Sequence, residues 1–188
     1  MGISKIIAMR RKAVFLDRDG VINRSLVKDG KPYPPSSVEG VKILPGVARA
    51  IKKLKGADFL VICVTNQPDV ARRIQSRKAV EAIHKFLLKL LPLDEIMVCY
   101  HDDNDKCQCR KPLPGMLLNA KKKFLIDLEK SFMVGDRWRD VEAGRRAGCV
   151  TVSIDNQYAE KVESQPDVRV SSLAEAADWI LKYHKSGD

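Results

Sequence analysis

Apolar runs of four to six residues recur along this 188-residue chain, and stretches with helical periodicity separate them. Residues 13–16, 59–64, 95–100, 131–134 and 150–154 are strand-like. Most are apolar at successive positions instead of alternating, the pattern of strands buried on both faces. The intervening segments 47–54, 77–91, 116–124 and 141–147 repeat apolar residues at helical spacing, and a last helix is predicted over 172–182. Pro45-Gly46 and Pro114-Gly115 mark helix entries, Pro92 and Gly148 mark ends, and Ser172 is a candidate cap. Strand and helix in alternation predict an α/β fold: a Rossmann-like parallel sheet with helices on both faces. The one long connection, 23–44, carries Pro32, Pro34 and Pro35 and is the candidate substrate-specifying loop.

Length permits one domain with a sizeable core and makes two cramped. We expect a single domain over 13–184 behind a basic extension over 1–12. Net charge is +10, with 34 Lys and Arg against 24 Asp and Glu. Such a surface suits nucleic acid, acidic membranes or phosphorylated substrates alike. Aromatic residues make up only 6% and do not interleave with the basic clusters, which argues against single-strand binding. No apolar run is long enough to span a membrane. Ile6 stands where a myristoylation signal needs serine or threonine, and the run 6–9 is too short for a signal-peptide core. The expectation is therefore a cytoplasmic protein, a monomer, with no membrane and no nucleic-acid partner.

Polar groups at the strand ends change the picture. The first strand ends at Asp17 and Asp19 and turns at Gly20; the second ends at Thr65-Asn66; the fourth ends at Gly135-Asp136, with Asp140 one helical turn on. Arg110-Lys111-Pro112 follows the third strand. Singly these are weak: acid pairs in turns are commonly solvated, Thr65-Asn66 could cap a helix, and Asp136 could serve a helix dipole. In a parallel sheet, however, all these ends face one side. They would gather a nucleophile, a proton carrier, a hydroxyl donor, a fixed cation and an acid pair for a metal. That is an inventory for phosphoryl transfer.

The order DxDG, Thr, Lys, GD with a second Asp resembles the haloacid dehalogenase superfamily. Asp17-Arg18-Asp19-Gly20-Val21-Ile22-Asn23, Thr65-Asn66-Gln67 and the Cys/His segment before Arg110-Lys111-Pro112 are similar to its branch of heptose bisphosphate phosphatases and histidinol-phosphatases. The resemblance implies a phosphatase with no separate cap domain. Asp17 would be the nucleophile and Asp19 the acid and base. Asp17, the Asp19 carbonyl and Asp136 would hold Mg²⁺. Thr65, Arg110 and Lys111 would bind the transferring phosphoryl group, while Asn66, Arg110, Lys111 and Arg137 would contact substrate. The substrate expected is a small phosphorylated metabolite, foremost the 7-phosphate of D-glycero-D-manno-heptose 1,7-bisphosphate. Histidinol phosphate, a nucleic-acid 3′-phosphate and a non-catalytic basic module are the alternatives. The segments 24–28 and 68–73 depart from the branch's usual pattern where substrate would be recognised.

Of five cysteines, Cys63 and Cys149 lie in apolar runs, whereas Cys99, Cys107 and Cys109 share a polar stretch with His101. Three thiolates and an imidazole match the ligand set of structural zinc. His84 and His184 read as surface residues, and Trp138 as a packing residue.

Overall fold

The computed structural model of the protein describes residues 10–159 and 163–186. The chain runs from strand β1 (Ala13–Leu16) through a hairpin of β2 (Leu26–Lys28) and β3 (Lys31–Tyr33) to helix α1 (Val47–Gly56). Then come β4 (Leu60–Asn66), α2 (Arg77–Leu90), β5 (Glu95–Cys99), α3 (Gly115–Phe124) and β6 (Phe132–Gly135). It finishes with α4 (Trp138–Ala147), β7 (Val150–Ile154), β8 (Val168–Val170) and α5 (Leu173–Ser186). Six strands form one sheet in the order β5-β4-β1-β6-β7-β8, every neighbouring pair parallel.

Strand periodicity explains how β1 builds two cores at once. Successive side chains point to opposite faces. Val14 and Leu16 join Ile51 and Leu54 of α1, Ile83 and Leu87 of α2 and Ile180 of α5 on one face. Ala13 and Phe15 join Met116, Leu117 and Ala120 of α3 on the other. Each fully buried aliphatic or aromatic side chain of this kind is worth about 1.5–3 kcal/mol. All four β1 residues are fully buried, as their unbroken apolarity predicts.

Chain order then fixes where a ligand can sit. From β1 the chain moves outward to β4 and β5, then crosses back to β6 on the other side of β1. Open parallel sheets bind ligands at such a reversal, beyond the carboxyl ends of the strands. Here that crevice lies past Leu16 and Gly135, next to Asp17 and Asp136.

Two elements lie outside the predicted pattern. The hairpin β2–β3 arises inside 23–44, and its base is closed by Arg24 N–H donating to the Lys42 carbonyl (2.8 Å) and Leu44 N–H to that of Ile22 (3.0 Å). β8 is a three-residue edge strand. Helix α4 begins at Trp138, three residues before the predicted 141, because the Asp140 carboxylate accepts the Arg137 N–H (3.1 Å) and caps it. In the expected extension, residues 1–9 lie outside the described residues. Arg11 bridges to Ile126, and the Lys12 carbonyl accepts the Leu60 N–H, so these two dock on the domain. Among the described residues, no helix is long and apolar enough to cross a membrane.

Candidate active site

Asp17 leaves β1 with its N–H donating to the Val134 carbonyl of β6 (2.9 Å), which keeps it in line with the sheet and buried. Lys111 reaches it from the far side of β4. Its ammonium donates to Asp17 Oδ1 (2.7 Å) and the Val64 carbonyl (2.7 Å), and pairs with Asp140 Oδ1 (2.6 Å). Only 2% of Lys111 is exposed. Asn66 holds the Lys111 main chain at both ends: its Nδ2 donates to the Lys111 carbonyl (3.0 Å), and its Oδ1 accepts the Lys111 N–H (3.1 Å). The amide expected to touch substrate is therefore engaged in bracing the lysine.

Burial raises the Asp17 carboxyl to about 6 against the pull of Lys111, and the Asp140 and Asp19 charges add to the rise. Burial also pushes Asp136 well above the usual carboxylate range, with Asp17 and Asp140 reinforcing it. For Lys111, burial disfavours the ammonium, but Asp140 and Asp17 outweigh it and hold the proton more tightly than on a free lysine. An acidic cluster around one fixed cation is short of positive charge.

Asp17, Asp136 and Asp140 offer carboxylate oxygens that all lie within 4.8 Å of one another. They are not equivalent. Asp140, expected as half of a metal-binding acid pair, engages Lys111 and the Arg137 N–H. Asp136 Oδ2 accepts from Asn156 Nδ2 (3.0 Å), whereas its Oδ1 is buried without a partner. A buried partnerless carboxylate oxygen among hard oxygen donors fits a cation of the Mg²⁺ type. Gly20 makes the approach possible: its φ is +92°, and a Cβ there would stand 1.8 Å from Asp136 Oδ2.

The Asp19 carboxylate is surrounded by donors. Arg18 Nε and Nη2 reach it at 2.8–3.2 Å, Asn23 Nδ2 at 2.8 Å and Gln67 Nε2 at 2.9 Å. Gln67 also donates to the Thr65 hydroxyl (2.9 Å). Asp17, Asp19, Thr65, Asn66, Lys111 and Asp140 line one cavity of about 350 Å³, with Lys31, Pro32, Tyr33 and Pro34 of the hairpin segment along one wall. Arg72, Arg110, Arg137 and Arg139 stand around it with Asp69 and Asp103. Arg110 Nε pairs with Asp103 (2.8 Å), Arg139 approaches the same carboxylate (3.4 Å), and Arg72 pairs with Asp102 (2.6 Å).

Those two acids belong to the cysteine–histidine loop, which runs from the end of β5 to Arg110. Sulfur pairs of Cys99, Cys107 and Cys109 are 3.2–3.7 Å apart, and His101 Nδ1 lies 3.3 Å from Cys109 and 3.6 Å from Cys99. Donors about 2.3 Å from a central zinc in a tetrahedron stand near 3.7 Å from one another, so the set fits that ion. Asp102 caps a 3₁₀ turn over Asp103–Asp105, fixing the loop's outer edge.

Two histidine expectations change. His84 is 7% exposed, and its Nε2 lies 3.0 Å from Arg18 Nη1. It is a buried partner of the site and not a surface residue, because α2 turns this position toward the sheet. His184 is half-buried, with its ring 5.4 Å from that of Phe59. Trp138 is half-buried under the Arg139 guanidinium (4.9 Å), as a packing residue would be. Sequence reading missed Arg18, Asn23, Gln67 and Asn156 as site residues. A DxD turn with Asn four residues after its second acid was the one signal available for Asn23.

A family model described as haloacid dehalogenase-like hydrolase matches residues 31–148. That span begins after Asp17 and Asp19. A D-glycero-β-D-manno-heptose-1,7-bisphosphate 7-phosphatase from Rhodopseudomonas palustris is 37% identical over 153 residues, covering 75% of this chain and 82% of that relative. One of the same name from Bordetella bronchiseptica is 35% identical over 181 residues, covering 91% and 98%. A crystal structure of D,D-heptose 1,7-bisphosphate phosphatase from B. bronchiseptica, complexed with magnesium and phosphate, superposes with a TM-score of 0.75 at 31% identity, covering 92% of this chain and 99% of that one.

Proposed function

The chain belongs to the haloacid dehalogenase-like hydrolase family, and on that premise we propose a Mg²⁺-dependent phosphatase that removes the 7-phosphate of D-glycero-D-manno-heptose 1,7-bisphosphate. It is a phosphoric monoester hydrolase, and the reaction passes through an aspartyl-phosphate. The observation that carries this reading is the buried Asp17–Lys111–Asp140 group, with Asp19 two residues from Asp17, at the reversal of strand order.

In the first step an Asp17 oxygen attacks phosphorus; an Asp17 O–P bond forms as the ester P–O bond breaks, and the Asp19 proton passes to the departing sugar oxygen. In the second, water attacks the phosphoryl group, gives one proton to Asp19 and releases phosphate, restoring the Asp17 carboxylate. Arg18, Asn23 and Gln67 hold the Asp19 carboxylate at the cavity for both proton transfers. Thr65 and Lys111 bind the transferring phosphoryl oxygens, and Asn66 holds Lys111 in place. Mg²⁺ bound by Asp17, the Asp19 carbonyl and Asp136 supplies the positive charge that the acidic cluster lacks.

Arg110 and Arg137 at the cavity rim suit a second phosphate, which a bisphosphate has and histidinol phosphate replaces with an ammonium group. Cys99, His101, Cys107 and Cys109 hold a structural zinc that orders the loop presenting Arg110 and Lys111. The catalytic domain is 13–184 with this loop, 99–109, inside it, and it works as a cytoplasmic monomer on a small metabolite. Comparing kcat/KM for the heptose bisphosphate, histidinol phosphate and a 3′-phosphorylated oligonucleotide at physiological salt tests the choice. We expect the bisphosphate to lead, and a clear lead for either competitor overturns it.

A further inference from the structure

Among the described residues Arg18 heads the largest fully buried side chains, with 0% exposure between Asp17 and Asp19. Burying an arginine is costly unless its donors are satisfied by charge and hydrogen bonds. Three of its contacts go to Asp19: Nε to Oδ1 (3.2 Å) and Oδ2 (3.1 Å), and Nη2 to Oδ2 (2.8 Å). The other arm, Nη1, meets His84 Nε2 at 3.0 Å, across 66 residues of sequence. A guanidinium only donates, so Nε2 accepts and the imidazole carries its proton on Nδ1. Burial, then the Arg18 charge, lowers the His84 imidazole to about 4, so the accepting form prevails at neutral pH.

We propose that Arg18 and His84 form a buried strut that positions the Asp19 carboxylate for proton transfer, making both of them positioning residues of the reaction. The proposal rests on Asp19 being the acid and base. The Asp19 backbone is bridged to Asn23 within a hydrogen-bonded turn, so what remains to be fixed is the orientation of its carboxylate. Arg18 grips both oxygens from below while Asn23 and Gln67 hold one each, and Asp19 still lines the cavity. His84 is anchored in α2, which packs Ile83 and Leu87 into the main core. Because α2 is packed into the core, His84 fixes the guanidinium plane, and the plane fixes the carboxylate. A general acid displaced by about an ångström loses much of its effect.

The test separates positioning from mere stability. Protonating the leaving oxygen matters for a sugar alkoxide and little for p-nitrophenolate, and kcat/KM reports this first step alone. His84→Leu leaves Nη1 without an acceptor, and His84→Gln offers an amide oxygen near the lost Nε2. For His84→Leu, kcat/KM should fall at least about tenfold more with the sugar phosphate than with p-nitrophenyl phosphate, a part of the roughly 10²–10⁴ that general acid–base catalysis contributes in full. His84→Gln should recover most of that difference. If His84→Leu does not fold, His84→Asn, whose amide stops short of Arg18, carries the same expectation. Equal losses on both substrates, or no loss, overturn the strut. Asp19→Asn, run alongside, must show the same leaving-group dependence. Its failure to do so would instead remove the assignment of Asp19 on which the strut depends.

Discussion

The floor and the rim of the cavity are held by different physics. At the floor, Asp17, Lys111 and Asp140 are almost wholly buried; Asp17 and Lys111 are bonded to sheet carbonyls at 2.9 and 2.7 Å, and Asp140 is paired with Lys111 at 2.6 Å. At the rim, Arg72, Arg110 and Arg139 are held by Asp102 and Asp103 of the cysteine–histidine loop, and the Asp103 side chain is 55% exposed. Exposed pairs of this kind contribute about 0–1 kcal/mol and weaken with salt. Breaking a buried pair by removing one partner costs about 3–5 kcal/mol. The difference separates chemistry from selectivity. The floor admits one arrangement, whereas the rim can exchange an internal carboxylate for a substrate phosphate at little cost.

The sharpest way to break this contrast is at the floor. Asp17→Asn should reduce phosphate release to background while the thermal melt stays cooperative, because an amide cannot serve as the nucleophile. Turnover near the wild-type rate would refute the assignment. Lys111→Met removes the cation between two buried carboxylates, and chemical denaturation should show a loss of about 3–5 kcal/mol. A loss under about 1 kcal/mol would mean the floor is no more rigid than the rim.

Zinc tests whether the rim depends on its loop. We expect about one zinc per chain by metal analysis, and substitution of Cys107 or Cys109 by serine should lower it. Activity should then fall through misplacement of Arg110 and Lys111. Protein purified without chelators and free of zinc would dispose of the site. The smallest effect belongs to Asp103. Asp103→Asn frees Arg110 and Arg139 and should change KM for a bisphosphate severalfold at low salt, less at high salt, with kcat nearly constant. A large fall in kcat would tie the rim to the chemistry.

How far this contrast was legible in the chain follows from the same physics. β1, β4 and β6 are buried on both faces, so their continuous apolarity announces them, and the polar groups at their ends, Asp17, Thr65-Asn66 and Asp136, come with the pattern. Clustered thiols in a polar stretch announce the cysteine–histidine cluster. The hairpin was not legible: its residues are exposed or half-buried, Pro32 interrupts them, and no alternation marks a face. Arg18 between two acids reads as solvated, and His84 on an amphipathic helix reads as surface, because their partnership is a contact across 66 residues. Asn156 escaped notice for the same reason: it meets Asp136 and the Gly20 carbonyl only once β7 lies beside β6.

The central claim is that the buried floor does covalent chemistry at Asp17. Acid quenching during turnover, followed by borohydride reduction, converts an aspartyl-phosphate to homoserine, which peptide mass spectrometry locates. We expect homoserine at position 17 when the sugar phosphate is present and none without it. No conversion under conditions of steady turnover, or conversion at Asp19, Asp136 or Asp140 instead, would contradict the account.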